Sequence, residues 1–311
     1  MVVTPSVGEL LRSWRVRRRM SQLDLADLAE IGVKLLGQIE TGRSAASRDL
    51  VLRLAEQMGV PLRDRNALMT AAGYASLFPQ RPLDDPALGV VREGLDAMLA
   101  AQEPHPAMAY DRHWTLVAAN MAFHRMVAGA DPLVLHPPVN LLRLWLHPVG
   151  LAPRIANLRD WREQTIDRLR RRIAVNGDSR LIDLLEEIRD YPLPRGQVPT
   201  RPAPNFEAAM VPFRLVTIDG TLSFYATETA FMAPLDVTLA ELTIETFYPL
   251  DQETAAILGR MAETSPERRY ADVLASIPRM VRPVGLGGAA LDRAILDRAV
   301  VERGGVDSGG D

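Results

Sequence analysis

At 311 residues and 34.3 kDa the chain is long for one small domain and suits two. Hydrophobic residues at 47% and charged residues at 24% exclude a disordered or collagenous chain, and zero cysteines exclude disulfide frameworks, thiolate metal sites, iron-sulfur clusters and cysteine nucleophiles. The net charge of -3 conceals a division, because residues 1–73 hold eleven Lys and Arg against eight Asp and Glu while the remainder holds 25 against 31. A basic end on an acidic body fits a nucleic-acid contact confined to that end, and it also fits ordinary surface scatter.

The opening MVVTPSVGELLRSW lacks the basic-then-apolar order of a signal peptide, and no window approaches about 18 consecutive apolar residues, so a cytoplasmic protein without membrane association is expected. Five short helices fit residues 1–73. Leu10, Leu11 and Trp14 give the first an apolar face ahead of the basic run Arg15 to Arg19. Arg15, Arg17, Arg18 and Arg19 read equally as a solvated face or as a phosphate-contacting patch. Ser21 suits the N-cap of a second helix with Leu23, Leu25, Leu28 and Ala29. Gly32 opens a third, with Leu35, Leu36 and Ile39, that stops at Thr41-Gly42. Ser47 caps a fourth running to Gly59, and Pro61 suits the N1 position of a fifth that ends at Gly73.

The segment SQLDLADLAEIGVKLLGQIETGRS sets two amphipathic helices across the turn Glu30 to Gly32, with Ala26, Ile31, Leu36 and Ile39 facing each other. That is a helix-turn-helix pattern. With the later helix in a major groove, Val33, Lys34 and Gln38 reach base edges: Lys donates to guanine, Gln pairs with adenine, Val meets a thymine methyl. Gln22 and Arg43 suit phosphates. An all-helical adaptor with these side chains merely solvated is the competing reading. The segment resembles the five-helix DNA-binding domain of the XRE (Cro/C1-type) family, on Ser21-Gln22, Leu25-Ala26, Leu28-Ala29, Leu36, Ile39-Glu40 and Gly42. It departs from that pattern at Glu30, where Gly is usual, and at Gly32, where Ser or Thr caps the helix. Gly37 inside the recognition helix costs about 1 kcal/mol against Ala and leaves room for a close backbone approach.

Residues 74–85, YASLFPQRPLDD, show no periodicity and read as a linker. A second domain over 86–262 begins with a helix from Asp85-Pro86 to about Gln102, then a tight hairpin in AMAYDRHWTLVAAN and a helix from Asn120. Residues 153–190 are helical in pattern, with Trp161 on the apolar side and a break at Asn176-Gly177. Val211, Phe213 and Leu215 alternate up to Asp219-Gly220, a strong hairpin signal, and AELTIETFYPL supplies a further strand after Pro234. The result is a mixed α+β domain, not a doubly wound parallel sheet. Residues 263–311 form a C-terminal extension whose tail GGVDSGGD is expected to be disordered.

Catalytic motifs are missing: no GxSxG, P-loop, HExxH or GxGxxG is present, so no catalytic residues and no enzyme activity are expected. His105, His113, His124, His136 and His147 are spaced by 8, 11, 12 and 11 residues, which does not pair two on one helix face, so no metal site is expected. DRHWTLVAAN, NLLRLWLHP, the Trp161 helix and the strands around Asp219-Gly220 resemble the ligand-binding domain of MmyB-like XRE regulators over roughly residues 104–262. That resemblance implies a PAS-like α+β fold around an apolar pocket and a fatty-acid-like ligand, with no cofactor besides. Phe123, Met126, Leu142, Trp145, Trp161, Met210, Phe213 and Phe224 are candidates to surround an acyl chain, each buried CH2 being stabilised by about 0.8 kcal/mol. Arg143, His147 or Arg154 are candidates for its carboxylate. The same apolar residues serve equally as plain core.

The expectation is therefore a multidomain regulator: an all-α helix-turn-helix domain on an operator, and an α+β domain whose ligand controls it. Operator logic adds a homodimer, since one helix reads few base pairs and paired half-sites lie about 34 Å apart. The alternative keeps DNA binding but makes residues 86–311 a protein-interaction platform without ligand; a histidine-dependent enzyme lacks an assembled nucleophile.

Overall fold

A computed structural model describes residues 5–193, 210–263 and 283–284. The described chain forms two units. The first contains residues 5–85 together with two later stretches, 171–177 and 231–241. Its helices are α1 (Val7–Arg17), α2 (Gln22–Leu28), α3 (Val33–Glu40), α4 (Arg48–Gln57) and α5 (Leu62–Ala71). Their ends follow from local chemistry. Ser6 and Ser21 form capping boxes with Glu9 and Asp24, and Ser47 accepts from the Leu50 N–H. Pro61 stands one position earlier than the spacing predicts: it is the N-cap of α5, with Leu62 at N1. Leu11, Leu25, Leu36, Ile39, Val51, Leu54 and Leu68 meet in one apolar core.

The expected linker carries no regular structure but is fastened. Asn66 of α5 accepts the N–H groups of Leu77 and Phe78, both at 3.0 Å, and donates to the Phe78 carbonyl at 2.7 Å. The Tyr74 hydroxyl donates to the Ala46 carbonyl.

The second unit contains residues 86–170, 178–230 and 242 onward. Helix α6 (Gly89–Ala100) follows a short 3-10 turn at Pro86–Leu88; β1 (Ala107–Tyr110) and β2 (Leu116–Asn120) form the expected hairpin. Next come α7 (Met121–Val127), α8 (Pro132–Leu135), α9 (Leu141–Leu146), α10 (Leu158–Asn176), α11 (Ser179–Asp190), β3 (Phe213–Thr217) and β4 (Gly220–Ala230). The short α12 (Val237–Ala240), in the first unit, precedes β5 (Thr243–Pro249) and α13 (Gln252–Glu263). A two-residue strand, β6 (Pro283–Val284), is the one described part of residues 264–311, so the disorder expected of the tail lies outside the described residues.

Strand order is β3-β4-β5-β1-β2-β6, antiparallel throughout except for the parallel β2–β6 edge. This is the mixed, non-doubly-wound sheet that the sequence predicts. The central strand β1 is buried at every position and β5 over its first five, which is why neither shows clean alternation. Fully buried Asn120 caps α7, accepts from Ala107 N–H and donates to the Leu99 and His105 carbonyls, tying hairpin to helices.

Candidate nucleic-acid interface and ligand pocket

Helices α2 and α3 pack through Ala26, Leu36 and Ile39, all at most 1% exposed. Between them Glu30 adopts φ +54°, the left-handed conformation for which Gly is the usual residue. Gly32 caps α3 without any side-chain hydrogen bond, and Gly42 at φ +72° closes it, with Arg43 N–H donating to the Gln38 carbonyl at 2.8 Å and Gly42 N–H to Ile39. The helix therefore has defined ends although its entry is uncapped.

One network fixes α3 to its neighbours. Arg15 of α1 donates from Nε and Nη2 to the two carboxylate oxygens of Glu40 at 2.7 and 2.8 Å, and from Nη1 to the Met20 carbonyl. Gln22 of α2 donates to Glu40 Oε2 at 2.7 Å. Burial raises the Glu40 pKa, but the hydrogen bonds and charge of Arg15 with the Gln22 amide outweigh it and leave the carboxyl below its ordinary value. Gln22, expected on a phosphate, thus has its amide donor engaged inside the protein. The same amide lies over Gly37, 3.6 Å from where a Cβ would stand, so a side chain and not a backbone approaches there. The close backbone approach occurs at Gly8, whose Cβ would lie 2.3 Å from the Ile39 carbonyl oxygen.

The outward edge of α3 carries Val33, 44% exposed, and exposed Lys34, with half-buried Gln38 one turn on and exposed Arg43 just past the end. All four are at least partly open to solvent. The basic run divides. Arg15 is buried; Arg18 donates to the Met58 and Gly59 carbonyls; Arg17 and Arg18 lie 4.8 and 5.2 Å from the Trp14 ring centre; Arg19 is exposed. Much of the run braces helices rather than facing solvent.

In the second unit the aromatic candidates form one cluster. Trp145 meets Phe123 and Phe213 at 6.0 and 5.5 Å, Trp161 meets Phe213 at 4.9 Å, and Phe213 meets Phe224 at 6.4 Å. Its hub is Phe247 of β5, which touches Trp145, Trp161, Phe213 and Phe224 and is missing from the sequence-derived set. Met126 and Leu142 are likewise buried. These rings fill space against one another, the core reading of the same residues. The polar candidates are engaged elsewhere: Arg143 pairs with Glu187 at 2.6 Å, Arg154 donates to the Ala128 and Val216 carbonyls, and His147 packs on Tyr191 at 4.9 Å.

The structure instead opens a pocket of about 200 Å³ between α10, β4 and β5. Trp161, Met210, Val211 and Ala226 give it apolar walls; Gln164, Arg168, Glu228 and Glu245 give it polar ones. Of the sequence candidates only Trp161 and Met210 line it. Arg168 pairs with Glu228 and, at 3.1 Å, with Glu245; the Tyr110 hydroxyl donates to Glu228 at 2.5 Å. Burial lowers the Arg168 pKa, but Glu245, Tyr110 and Glu228 outweigh that and raise it. Burial and then Glu245 push the Tyr110 hydroxyl well above its ordinary value, so it remains a donor. The Trp161 indole N–H has no hydrogen-bond partner among the described residues. No group of three His, Asp or Glu among them could hold a metal ion, and no helix among them is long and apolar enough to cross a membrane.

Comparison with known proteins finds two domain families along the chain. Residues 91–261 match the model of the MmyB-like transcription regulator ligand binding domain, and residues 6–68 match a helix-turn-helix domain. The chain is also similar, at 31% identity over 116 residues, to a "Putative HTH-type transcriptional regulatory protein" of Methanoculleus marisnigri. That match covers 36% of this chain and 37% of the relative, little more than a third of each.

Proposed function

The chain belongs to the family of MmyB-like transcription regulators, and from that premise we propose that α3 reads an operator while a ligand in the second unit controls the binding. The observation that carries the reading is the outward edge of α3, where Val33 and Lys34 are exposed and Gln38 is half-buried, on a helix whose Glu40 is held by Arg15 of α1. Arg43 supplies a phosphate contact, and the N-terminus of α2, with its exposed capping Ser21, supplies backbone N–H groups in place of the engaged Gln22 amide. The protein acts as a homodimer on paired half-sites and does no catalysis.

The ligand is an apolar molecule of the fatty-acid class. Trp161, Met210, Val211 and Ala226 receive its chain, and its carboxylate reaches Arg168, the cation lining the pocket, only in competition with Glu228 and Glu245. A volume of 200 Å³ is small against the several hundred usual for ligand pockets, so a long chain also displaces rings of the cluster behind Trp161. A ligand-free interaction platform is the second reading, favoured by how fully those rings pack against each other. Native mass spectrometry of the purified full chain separates the two. A retained fatty-acid mass, or one acquired on adding tetradecanoate, supports the ligand; a chain that stays empty after that addition supports the platform. Footprinting on a duplex selected from a random pool tests the rest: two protected half-sites are expected, and a single asymmetric one with monomers in sedimentation refutes the dimer.

A further inference from the structure

Residues 77–81 and 231–241 are remote in sequence but pack in the same first unit, and where they cross they leave a second cavity, of about 390 Å³. Both sides of it are held in place. Val237 N–H donates to the Pro79 carbonyl at 2.8 Å, the Thr238 hydroxyl donates to the Arg81 carbonyl at 2.5 Å, and Arg63 of α5 holds Glu241 through two hydrogen bonds of 2.7 Å. Asn66 fastens the other stretch through Leu77 and Phe78. We propose that this cavity is a second ligand site, and that it takes a protonated primary amine carried on an apolar body. The proposal concerns residues of the first unit alone and does not rest on the regulator reading above.

The walls select the body of the ligand. Leu77, Phe78, Pro79 and Leu235 line the cavity, with Arg81 and Asp236 as its charged members. Its volume falls within the range of about 300–1,000 Å³ usual for small-molecule sites, which the pocket beside Trp161 does not reach. Leu77 and Leu235 are exposed, so an apolar body laid against them removes their surface and its own from water.

Asp236 selects the head group. The residue is 5% exposed. Its Oδ1 accepts the Thr238 N–H at 2.8 Å and caps α12, while Oδ2 is buried and has no hydrogen-bond partner among the described residues. An ionised carboxylate is an acceptor only, and a buried charged oxygen left without a donor is costly. Arg81 Nη1 stands 3.5 Å from Oδ2, close enough to offset its charge but without making that hydrogen bond. The Arg81 side chain is 42% exposed, so the pair is screened and the guanidinium is free to turn toward water. What the cavity lacks is a donor at Oδ2, and a donor that also carries positive charge gains most there. An ammonium group is compact and brings three such donors. An anion would meet the Asp236 carboxylate, and a wholly apolar molecule would seal Oδ2 away unpaired.

Titrating phenethylammonium into the isotopically labelled full chain, followed by amide N–H correlation spectra, tests the site. Saturable shifts are expected at Leu77, Phe78, Arg81 and 235–238, with half-saturation at about 1 mM or below. 3-Phenylpropanoate has the same body with a carboxylate head and is expected to bind at least about tenfold more weakly. Asp236→Asn keeps a good helix-capping residue but loses the charge, and is expected to weaken the amine about tenfold. Arg81→Ala removes the competing cation and is expected to raise the affinity about threefold. Absence of saturable shifts at these residues, equal binding of the carboxylate, an affinity unchanged in Asp236→Asn or one lowered in Arg81→Ala overturns the proposal. Should Asp236→Asn not fold, Leu235→Ser on the exposed wall replaces it: a loss of affinity of about threefold or more supports the site, and an unchanged affinity overturns it.

Discussion

Replacing Glu40 by Ala removes the carboxylate on which α1, α2 and α3 converge. The side chains of the Arg15–Glu40 pair are 10% and 2% exposed, so Arg15 is left as a buried, uncompensated charge. Loss of one partner of such a pair costs about 3–5 kcal/mol, whereas a solvent-exposed pair costs at most about 1 kcal/mol. Gln22 loses its acceptor as well, while Arg15 keeps the Met20 carbonyl, so the middle of the range, about 4 kcal/mol, is expected. Against a total of about 5–15 kcal/mol for a folded domain, that is a large fraction. Hydrogen exchange read over residues 7–71 of the full chain gives the free energy for this unit alone. The Arg15→Met/Glu40→Leu double variant is expected to recover most of the loss, because apolar groups of similar volume need no pairing. Since the folded pKa of Glu40 is lowered, its contribution is full above the ordinary carboxylate range and fades as pH falls through the folded value; Glu40→Ala lacks that acid dependence. A loss below about 1 kcal/mol, or a double variant no better than the single one, refutes the account.

Lys34→Ala and Gln38→Ala are each expected to cost about 1–3 kcal/mol at one operator position and to relax the base preference there; Arg43→Ala is expected to weaken all sequences and to lower the salt slope by about one. Binding titrations on single-base variants of a selected duplex check this, and equal losses on random DNA for all three mean that α3 is not the reading helix. Gly8→Ala places a Cβ against the Ile39 carbonyl oxygen and is expected to destabilise the first unit by about 1–3 kcal/mol, readable as a lower urea midpoint; an unchanged midpoint shows that α1 can move aside without cost. Burial holds the His124 imidazole at a pKa of about 4 against 6.5 for an ordinary histidine, and neither ring nitrogen has a partner among the described residues. The unfolded chain therefore protonates first as pH falls from 6.5 to 4, and stability declines across that window by about 1.4 kcal/mol per pH unit. Urea titrations of the wild type and His124→Leu at pH 7 and pH 5 should differ by about 2 kcal/mol in their pH dependence, and parallel behaviour sinks the assignment.

The five helices were legible because their ends are chemical: Ser21, Ser47 and Gly42 act within a few residues of themselves, and their geometry follows from the local chain. The hairpin at Asp219-Gly220 was legible for the same reason. The pocket was not, because Arg168 lies 58 to 77 residues from the groups it meets, Tyr110, Glu228 and Glu245, and no periodicity relates them. Aromatic residues pointed to the right elements, since Trp161 does line the pocket, but composition cannot say whether a ring faces a cavity or another ring. Phe247 illustrates this: AELTIETFYPL marks a strand, and only its pairing with β4 and β1 places that side chain at the hub. Gly8 gave no signal, because an early glycine in a helix looks like any other until Ile39 is seen against it.

The path of the backbone, which leaves the first five helices and revisits them at 171–177 and 231–241, restricts how such a protein can be reassembled from parts. A cut after residue 85 looks like a natural seam, yet it strips Arg63 of Glu241 and exposes the two main-chain carbonyls that α12 engages. Gene fusions that exchange one ligand-binding domain for another must therefore bring a matching loop between the fourth and fifth strands, and the two units of this architecture should diversify together rather than shuffle freely.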